Sequence, residues 1–480
     1  MANNKPAREN VVSVTHPGLP PAPQAMRILE RLNRSGLLAC PPVALPDLHL
    51  KPRLETPSSV ATATHDTLVL GLTSPSPNCG MALAATSLGE DDLSGGRLDA
   101  LFERLSAALN PDNRPPAIDD AALDDALLYG ASANTQYAAK GIGCTFSPDE
   151  ATADRAAILS SVPKGFRPVA RREFGLVGRG NHFLEIQVVD EVLDETTATA
   201  WGLGVGQVMV MYHADSGHLG AIAGRLFAHR RKNSLRGRLI EWRVKLPYHL
   251  RGEETGFFGK QSDKNRVSIH HLQQRLRYFL PRPWLPIRAD SDEGRRCRWA
   301  LGAAANYAFA GRLAVLETLT QALDQVWDSA AGRARLIYDA PHNGVWRERI
   351  GEQYLWIHRH NAARVTPPSR LPARSIYRDT GHPVLLPGSE RTSSYLCAGG
   401  EGAADTLHSA GHGAGHAVQA LARPLDKAAR FTRVYRYGSS SVEQRPQLDD
   451  NGVDRVLRAL VSHDIVRPVV RLRPLGVLKG

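Results

Sequence analysis

Residues 174–192 read FGLVGRGNHFLEIQVVDEV, a glycine-punctuated turn that runs into an apolar strand. The turn brings Asn181, His182 and Glu185 close together. In an ideal strand alternate side chains share a face, so Asn181 and Glu185 would point one way and His182 the other. Joint use of the three therefore needs a bulge or a site at the strand's beginning. Residues 206–220, GQVMVMYHADSGHLG, repeat the arrangement with an apolar strand from Val208 to Tyr212, then His213, then a turn. A histidine at the C-terminal end of a strand beside a glycine-rich loop is held rigidly enough to bind a ligand. Taken singly, either histidine reads more simply as a strand end facing solvent.

On the N-terminal side, residues 41–85 read as short strands and turns, and the turn SPNCG (76–80) holds Cys79 between Asn78 and Gly80. A thiolate at a loop tip is available to a metal, although a lone cysteine is more often a small buried hydrophobe. On the C-terminal side, residues 335–368 read as two strands around a loop with His342 and Asn343, followed by His358 and His360. The stretch PVLLPGSERTSSYL (383–396) is a Pro/Gly turn rich in hydroxyls suited to phosphate oxygens. In HSAGHGAGH (408–416), small residues around His412 would let a polyphosphate approach both the imidazole and the flanking backbone N–H groups. That fragment alone is also an ordinary turn. The chain finishes with VVRLRPLGVLKG (469–480), a basic strand whose apolar run suggests that Lys479 is docked and not free.

Composition narrows the class. A chain of 480 residues with 42% hydrophobic residues buries a substantial core, and a net charge of +11 favours an anionic partner. Five widely spaced cysteines without a CxxC pair argue against a disulfide framework or a zinc ribbon and for a reducing compartment. The N-terminus lacks an apolar signal region, and no run approaches the roughly eighteen apolar residues of a spanning helix, so a cytoplasmic protein is expected. Residues 1–25 are polar and proline-rich and read as a flexible tail, followed by a short amphipathic helix that stops at Gly36. The acidic stretch Asp91–Asp125, with a helix over Leu98–Leu109, reads as surface. Residues 228–298 interleave Lys/Arg with aromatics, which suits phosphate contacts and base stacking or, equally, a solvated face with its aromatics turned inward. A long helix rich in small residues covers 299–327.

The blocks PDLH (46–49), NCGMAL (78–83), GLVGRGNHFLEI (175–186), HADSGHLG (213–220), NYAFAGR (306–312), PHN (341–343), HRHNA (358–362), LPGSERTSSYL (386–396), HGAGH (412–416) and RLRPLGVLKG (471–480) occur in this order. Together they resemble the RtcB family of RNA ligases, which join a 3′-phosphate or 2′,3′-cyclic phosphate to a 5′-hydroxyl using GTP and Mn²⁺. The resemblance implies an α+β fold, a single compact domain over residues 26–480 with antiparallel sheets and surrounding helices about one cleft. It implies that His412 is the nucleophile, taking GMP from GTP as a phosphoramidate. Cys79, His182, His213 and His342 would ligate one or two Mn²⁺ ions, with Cys79 bridging. The guanylate would be held by Asn181, His182, Phe183, Leu184, Glu185, His342, Asn343, Pro387, Gly388, Ser389, Glu390, Ser394, the loop His412, Gly413, Ala414 and Gly415, and Lys479. Implied partners are GTP and RNA ends, with no membrane, an activating protein as a further option, and a monomeric chain.

The sequence departs from the family pattern at the same sites. The family's DIGCG is SPNCG here, so Ser76 stands where an aspartate ligand is expected and one of two metals loses a carboxylate. HSGSRG becomes HADSGH, HRKGA becomes HRHNA, PGSMG becomes PGSER and HGAGR becomes HGAGH, with His416 replacing a permanent charge and phosphate fork. Asp450 falls near the place of a guanine-stacking tyrosine. Two other readings follow from these departures: a weakly active or noncatalytic RNA-end or nucleotide-binding protein using one metal, and a metal-dependent phosphohydrolase.

Overall fold

The unbroken apolar run Val208–Tyr212 is consistent with a strand covered on both faces, and in the computed structural model it is one. The structure describes residues 10–51, 54–112, 114–229, 234–250, 269–327, 334–425 and 430–480. Strand Gln207–Ala214 lies inside a nine-stranded sheet whose main path runs Pro383–Leu386, Ser394–Gly399, Val466–Lys479, Phe183–Val192, Gln207–Ala214, Gly80–Gly89 and Arg335–Pro341. Every neighbouring pair on that path is antiparallel. The strand Phe431–Arg436 adds in parallel to the C-terminal part of Val466–Lys479 and carries Glu443–Pro446 on its other side.

Alternation along the central strands sorts their side chains between two cores. Ala82, Ala84, Val208, Val210 and Tyr212 pack with Phe309, Val315, Leu316 and Leu319 of the 36-residue helix Asp292–Trp327. Met81, Leu83, Met209 and Met211 face the other way, against Trp201, Tyr377, Leu385 and Leu396. A second, five-stranded sheet runs Val12–Ser13, Val43–His49, Ser58–Thr64, Gln353–His360 and Asn343–Ile350. Within the first 25 residues, Val12–Ser13 pairs in parallel with Val43–Ala44, Val14 is buried, and a helix starts at Pro23 and ends at Asn33, short of Gly36. The expected α+β class with antiparallel sheets and surrounding helices is the observed one. Among the described residues, no helix is long and apolar enough to cross a membrane.

Three local readings are corrected. Residues 335–368 form four strands and not two: Gly351 takes φ +56° at the turn that pairs Ile350 with Gln353, and a short strand Ala362–Arg364 follows. Asn343 therefore belongs to a strand, and His342 alone marks the crossing from the larger sheet to the smaller. The helix Arg97–Ala108 is not a surface element: Leu98, Leu101, Phe102 and Leu105 recur at helical spacing and are buried. Its Asp99 accepts hydrogen bonds from Arg433 and Tyr435, tying the helix to the C-terminal strands.

In the basic stretch, residues 230–233 and 251–268, which carry much of the expected phosphate-contacting charge, lie outside the described residues. Among those described, Arg275 and Arg296 converge on Glu293, Lys245 pairs with Glu241, and Phe227, Tyr248, Tyr278 and Phe279 form an apolar cluster. Those aromatics turn inward while Trp242 stays exposed, and these cations are spent on internal pairs.

The long helix also delivers Arg312, fully buried, to the base of the sheet. Its guanidinium pairs with Asp339 at 2.8 Å and donates to the backbone oxygen of Asn78 at 3.0 Å and to Asn78 Oδ1 at 2.9 Å. Tyr137 donates to the other Asp339 oxygen at 2.6 Å. Removing one partner of such a pair strands a buried charge, so Arg312→Met should lose about 3–5 kcal/mol in chemical denaturation. The double variant Arg312→Met with Asp339→Leu should recover a large part of that loss.

Candidate functional site

The site forms where strands of the larger sheet end together. His213 is opposite both Met81 and Phe183, and Gly80 is opposite both Ala214 and Pro341. Cys79, His182 and His342 each sit one residue beyond a paired position, so the register alone brings them to one place. His182 precedes the strand that begins at Phe183, which is the strand-start geometry that joint use of His182 and Glu185 required. Asn78 adopts φ +56° and is clamped by Arg312, which aims Cys79 inward.

Cys79 Sγ lies 3.1 Å from His213 Nε2 and 3.5 Å from His182 Nε2. All three side chains are buried and their donor atoms lie within 4.8 Å of one another. His213 Nδ1 faces the Asn181 carbonyl at 3.1 Å, which holds the ring and leaves Nε2 directed at the thiol. Burial pushes the Cys79 thiol well above its usual range, with the charge of Asp215 adding to this. Burial, with the neighbouring imidazoles His182 and His412, holds His213 well below its ordinary value. One sulfur and two neutral imidazoles suit a borderline divalent cation, whose charge would deprotonate the thiol.

His342 stands beside this trio. Its ring centroid is 5.1 Å from that of His213, and its buried Nδ1 has no protein partner among the described residues. The ring stacks on His412 with centroids 3.5 Å apart and planes within 11°. His412 is partly buried, and burial together with Lys51 pushes its pKa down to about 3. At neutral pH it is therefore an uncharged imidazole with a free lone pair. The loop that carries it is fixed by two backbone bonds, from His412 N–H to Asn361 O at 3.3 Å and from Ala414 N–H to Pro387 O at 3.2 Å.

The expected guanylate residues fall mostly into one neighbourhood. Ser394 Oγ accepts from Gly388 N–H at 3.1 Å and from the Gln187 amide at 3.2 Å, and that amide also donates to Glu185 Oε1 at 2.6 Å. Burial pushes Glu185 up to about 8. Lys479, paired in register with Phe183, is docked and donates to Glu390 Oε1 at 2.9 Å, which Arg445 also reaches at 2.7 Å. Asn343 holds Asn361 N–H at 2.9 Å. The Ser389 N–H is turned onto Thr392 Oγ1 at 2.8 Å, and Gly415 opens a short helix. Asn181 is exposed, whereas Leu184 points into the apolar core beneath the sheet, leaving only its backbone to face the cleft.

Lys51, Asp47, His49 and Asp215 were given no role from the sequence, whereas His416 and Asp450 were named there as departures. Lys51 is partly buried and close enough to influence Cys79, His342 and His412. Asp215 Oδ2 accepts the Ser76 hydroxyl at 2.7 Å and lies 3.7 Å from His182 Nε2. Asp47, His49 and His416 form a second close group of donor atoms, in which the Asp47 carboxylate accepts the backbone N–H groups of His416 and Ala417. Asp450 accepts the Ser393 N–H at 2.7 Å.

Gly80 follows Cys79 at a point of close approach. A Cβ there would lie 2.8 Å from Ala340 O and 3.0 Å from the Arg312 guanidinium. Gly80→Ala should therefore cost about 1–3 kcal/mol in thermal or chemical unfolding, by forcing the Cys79 turn off Arg312.

Comparison with known proteins covers nearly all of this architecture. A family model described as tRNA-splicing ligase RtcB matches residues 35–480. The tRNA-splicing ligase RtcB of Pyrococcus furiosus is 30% identical over 434 residues, covering 84% of this chain and 40% of that protein. The Pyrococcus abyssi protein of the same name is 29% identical, with 84% and 42% covered. That of Thermococcus kodakarensis is 27% identical, with 84% and 80% covered. The chain thus spans less than half the length of the two Pyrococcus relatives and four-fifths of the Thermococcus one. Since the matched span takes in the whole larger sheet, four of the five strands of the smaller one and every side chain of the cleft from Cys79 to Lys479, the chain belongs to the RtcB family of tRNA-splicing ligases.

Proposed function

We propose that this chain is an RNA ligase that uses GTP and Mn²⁺ to join 3′-phosphate or 2′,3′-cyclic phosphate ends to 5′-hydroxyl ends. The observation that carries the reading is the neutral His412 imidazole stacked on His342 beside the Cys79–His182–His213 group. His412 is kept uncharged by its surroundings and is partly open to the cleft, as a nitrogen nucleophile must be. Its attack on the α-phosphorus of GTP forms a P–N bond and breaks the bond to the β-phosphate, so that pyrophosphate leaves. Cys79, His182 and His213 would hold a divalent cation, with His342 beside them, and such a cation neutralises phosphate charge during displacement. His342 holds the plane of the nucleophile by stacking, and the bonds from His412 and Ala414 to Asn361 and Pro387 fix the loop. Glu185, Glu390, Ser394 and Lys479 form a polar wall for the base and ribose.

RNA is the natural polyanion for a chain of net charge +11. A cleft lined by Lys140, Arg364, Arg370 and Arg374 opens beside Ala340 and Pro341, next to His342, and offers a path for a phosphate backbone. The five cysteines are all free, in keeping with a reducing, cytoplasmic setting. Ser76 favours a second reading, a one-metal protein that binds nucleotide or RNA ends with little or no ligation, since an expected carboxylate is missing at that position.

Incubation with Mn²⁺ and α-labelled GTP should give a covalent, acid-labile GMP adduct. The adduct should be absent in His412→Ala, with ligation reduced about 10³-fold or more. Absence of adduct in the parent protein would favour the binding reading, and phosphate release from 3′-phosphorylated RNA without joining would favour a hydrolase. If about three phosphates are neutralised, affinity for single-stranded RNA should fall roughly 20-fold between about 50 and about 200 mM salt. Equilibrium binding at the two salt concentrations measures this.

A further inference from the structure

We infer that Asp215 is a metal ligand: its carboxylate is the fourth protein donor of the Cys79–His182–His213 group, and Ser76 is the residue that positions it. The inference rests on the reading that this group binds a divalent cation. Asp215 comes two residues after His213, just past the end of the strand Gln207–Ala214, where the chain turns into the helix Gly217–Leu226. Its two oxygens have separate tasks. Oδ1 accepts the Gly217 N–H at 2.8 Å, which fixes the carboxylate plane. Oδ2 accepts the Ser76 hydroxyl at 2.7 Å and lies 3.7 Å from His182 Nε2, close to the 3.5 Å that separates the same nitrogen from Cys79 Sγ. The His182–Asp215 spacing fits two neighbouring ligands of one ion at bonds of about 2.0–2.3 Å, with the carboxylate at the edge of the three donors that lie within 4.8 Å of one another.

Electrostatics points the same way. Among the described residues, no lysine or arginine lies within ion-pair distance of Asp215, and its nearest basic group is the imidazole of His182. A half-buried carboxylate beside an imidazole and without a lysine or arginine to pair with is an arrangement that a divalent cation would relieve. The resulting set of one sulfur, two imidazole nitrogens and one carboxylate oxygen carries two negative charges. The oxygen also moves the set toward the preference of Mn²⁺ for hard ligands. Ser76 has no carboxyl group of its own to offer, and its hydroxyl points at the one that arrives from the adjacent strand end.

The test compares Mn²⁺ and Co²⁺ binding by the full chain, using equilibrium dialysis for affinity and the visible spectrum of bound Co²⁺ for coordination. Asp215→Asn keeps an oxygen acceptor for the Gly217 N–H and removes only the charge. It should weaken metal binding at least about 10–100-fold, the loss typical of removing even a residue that merely orients a ligand, and should alter the Co²⁺ ligand-field bands. Ser76→Ala, which leaves that cap untouched, should weaken binding by about tenfold or less while retaining the bands. Ser76→Asp combined with Asp215→Asn should regain affinity by returning a carboxylate from the other side. Unchanged affinity and spectrum in Asp215→Asn would overturn the inference and leave Asp215 as a helix cap. Folded parent protein that binds neither ion would overturn the metal-centre reading itself, and the inference with it.

Discussion

A guanidinium buried at the base of the larger sheet is the constraint from which the cleft takes its shape. Arg312 carries a charge that cannot be left unpaired in a low-dielectric interior, and its surroundings are arranged around that demand. Asp339 supplies the counter-charge, Tyr137 occupies the second carboxylate oxygen, and Asn78 supplies both its backbone and side-chain oxygens. The last two bonds hold the left-handed turn before Cys79. The position of the thiol is thus set by a helix residue 233 places away in the sequence, and the small residues around Arg312 on that helix let it approach closely enough to do so.

Burial then acts in opposite directions on the two kinds of donor. Removal from water disfavours protonated imidazole, so His213, His342 and His412 present lone pairs at neutral pH. The same removal disfavours thiolate, so Cys79 keeps its proton until a cation compensates. The cleft is thereby primed on its nitrogen side and conditional on its sulfur side. Metal uptake is therefore coupled to loss of the Cys79 proton.

Much of this was legible in the sequence because the responsible residues lie in short local patterns. The runs Val208–Tyr212 and Phe183–Val189 announce buried strands, and HGAGH announces a loop open to a large ligand. What escaped was set by contacts distant along the chain. The acid count of Asp91–Asp125 obscured the spacing of Leu98, Leu101, Phe102 and Leu105, and the pairing of Arg275 and Arg296 with Glu293 depends on helices meeting in space. Nothing local in HADSGH marks Asp215, whose contact with Ser76 spans 139 positions of the chain. The burial of Leu184 was open to simple alternation along the strand from Phe183.

His342 is the residue at which the chain leaves one sheet for the other, and this gives the cleft a mechanical character. Cys79, His182 and His213 belong to the ends of the nine-stranded sheet, whereas the His412 loop is tied to both sheets, through Asn361 just past a strand of the smaller one and through Pro387 just past a strand of the larger one. His412 is therefore clamped between the two sheets, stacked on the residue that carries the chain from one to the other. One apolar core locks the sheets together, with Val43, Leu45 and Ile357 of the smaller packed among Val384, Leu386 and Cys397 of the larger, and this matters because a misplacement of about 1 Å between groups that act together can cost about 10²-fold in rate. The seam between the sheets is thus a weld, and a substitution in that shared core would be felt at the cleft although no side chain of the cleft had changed.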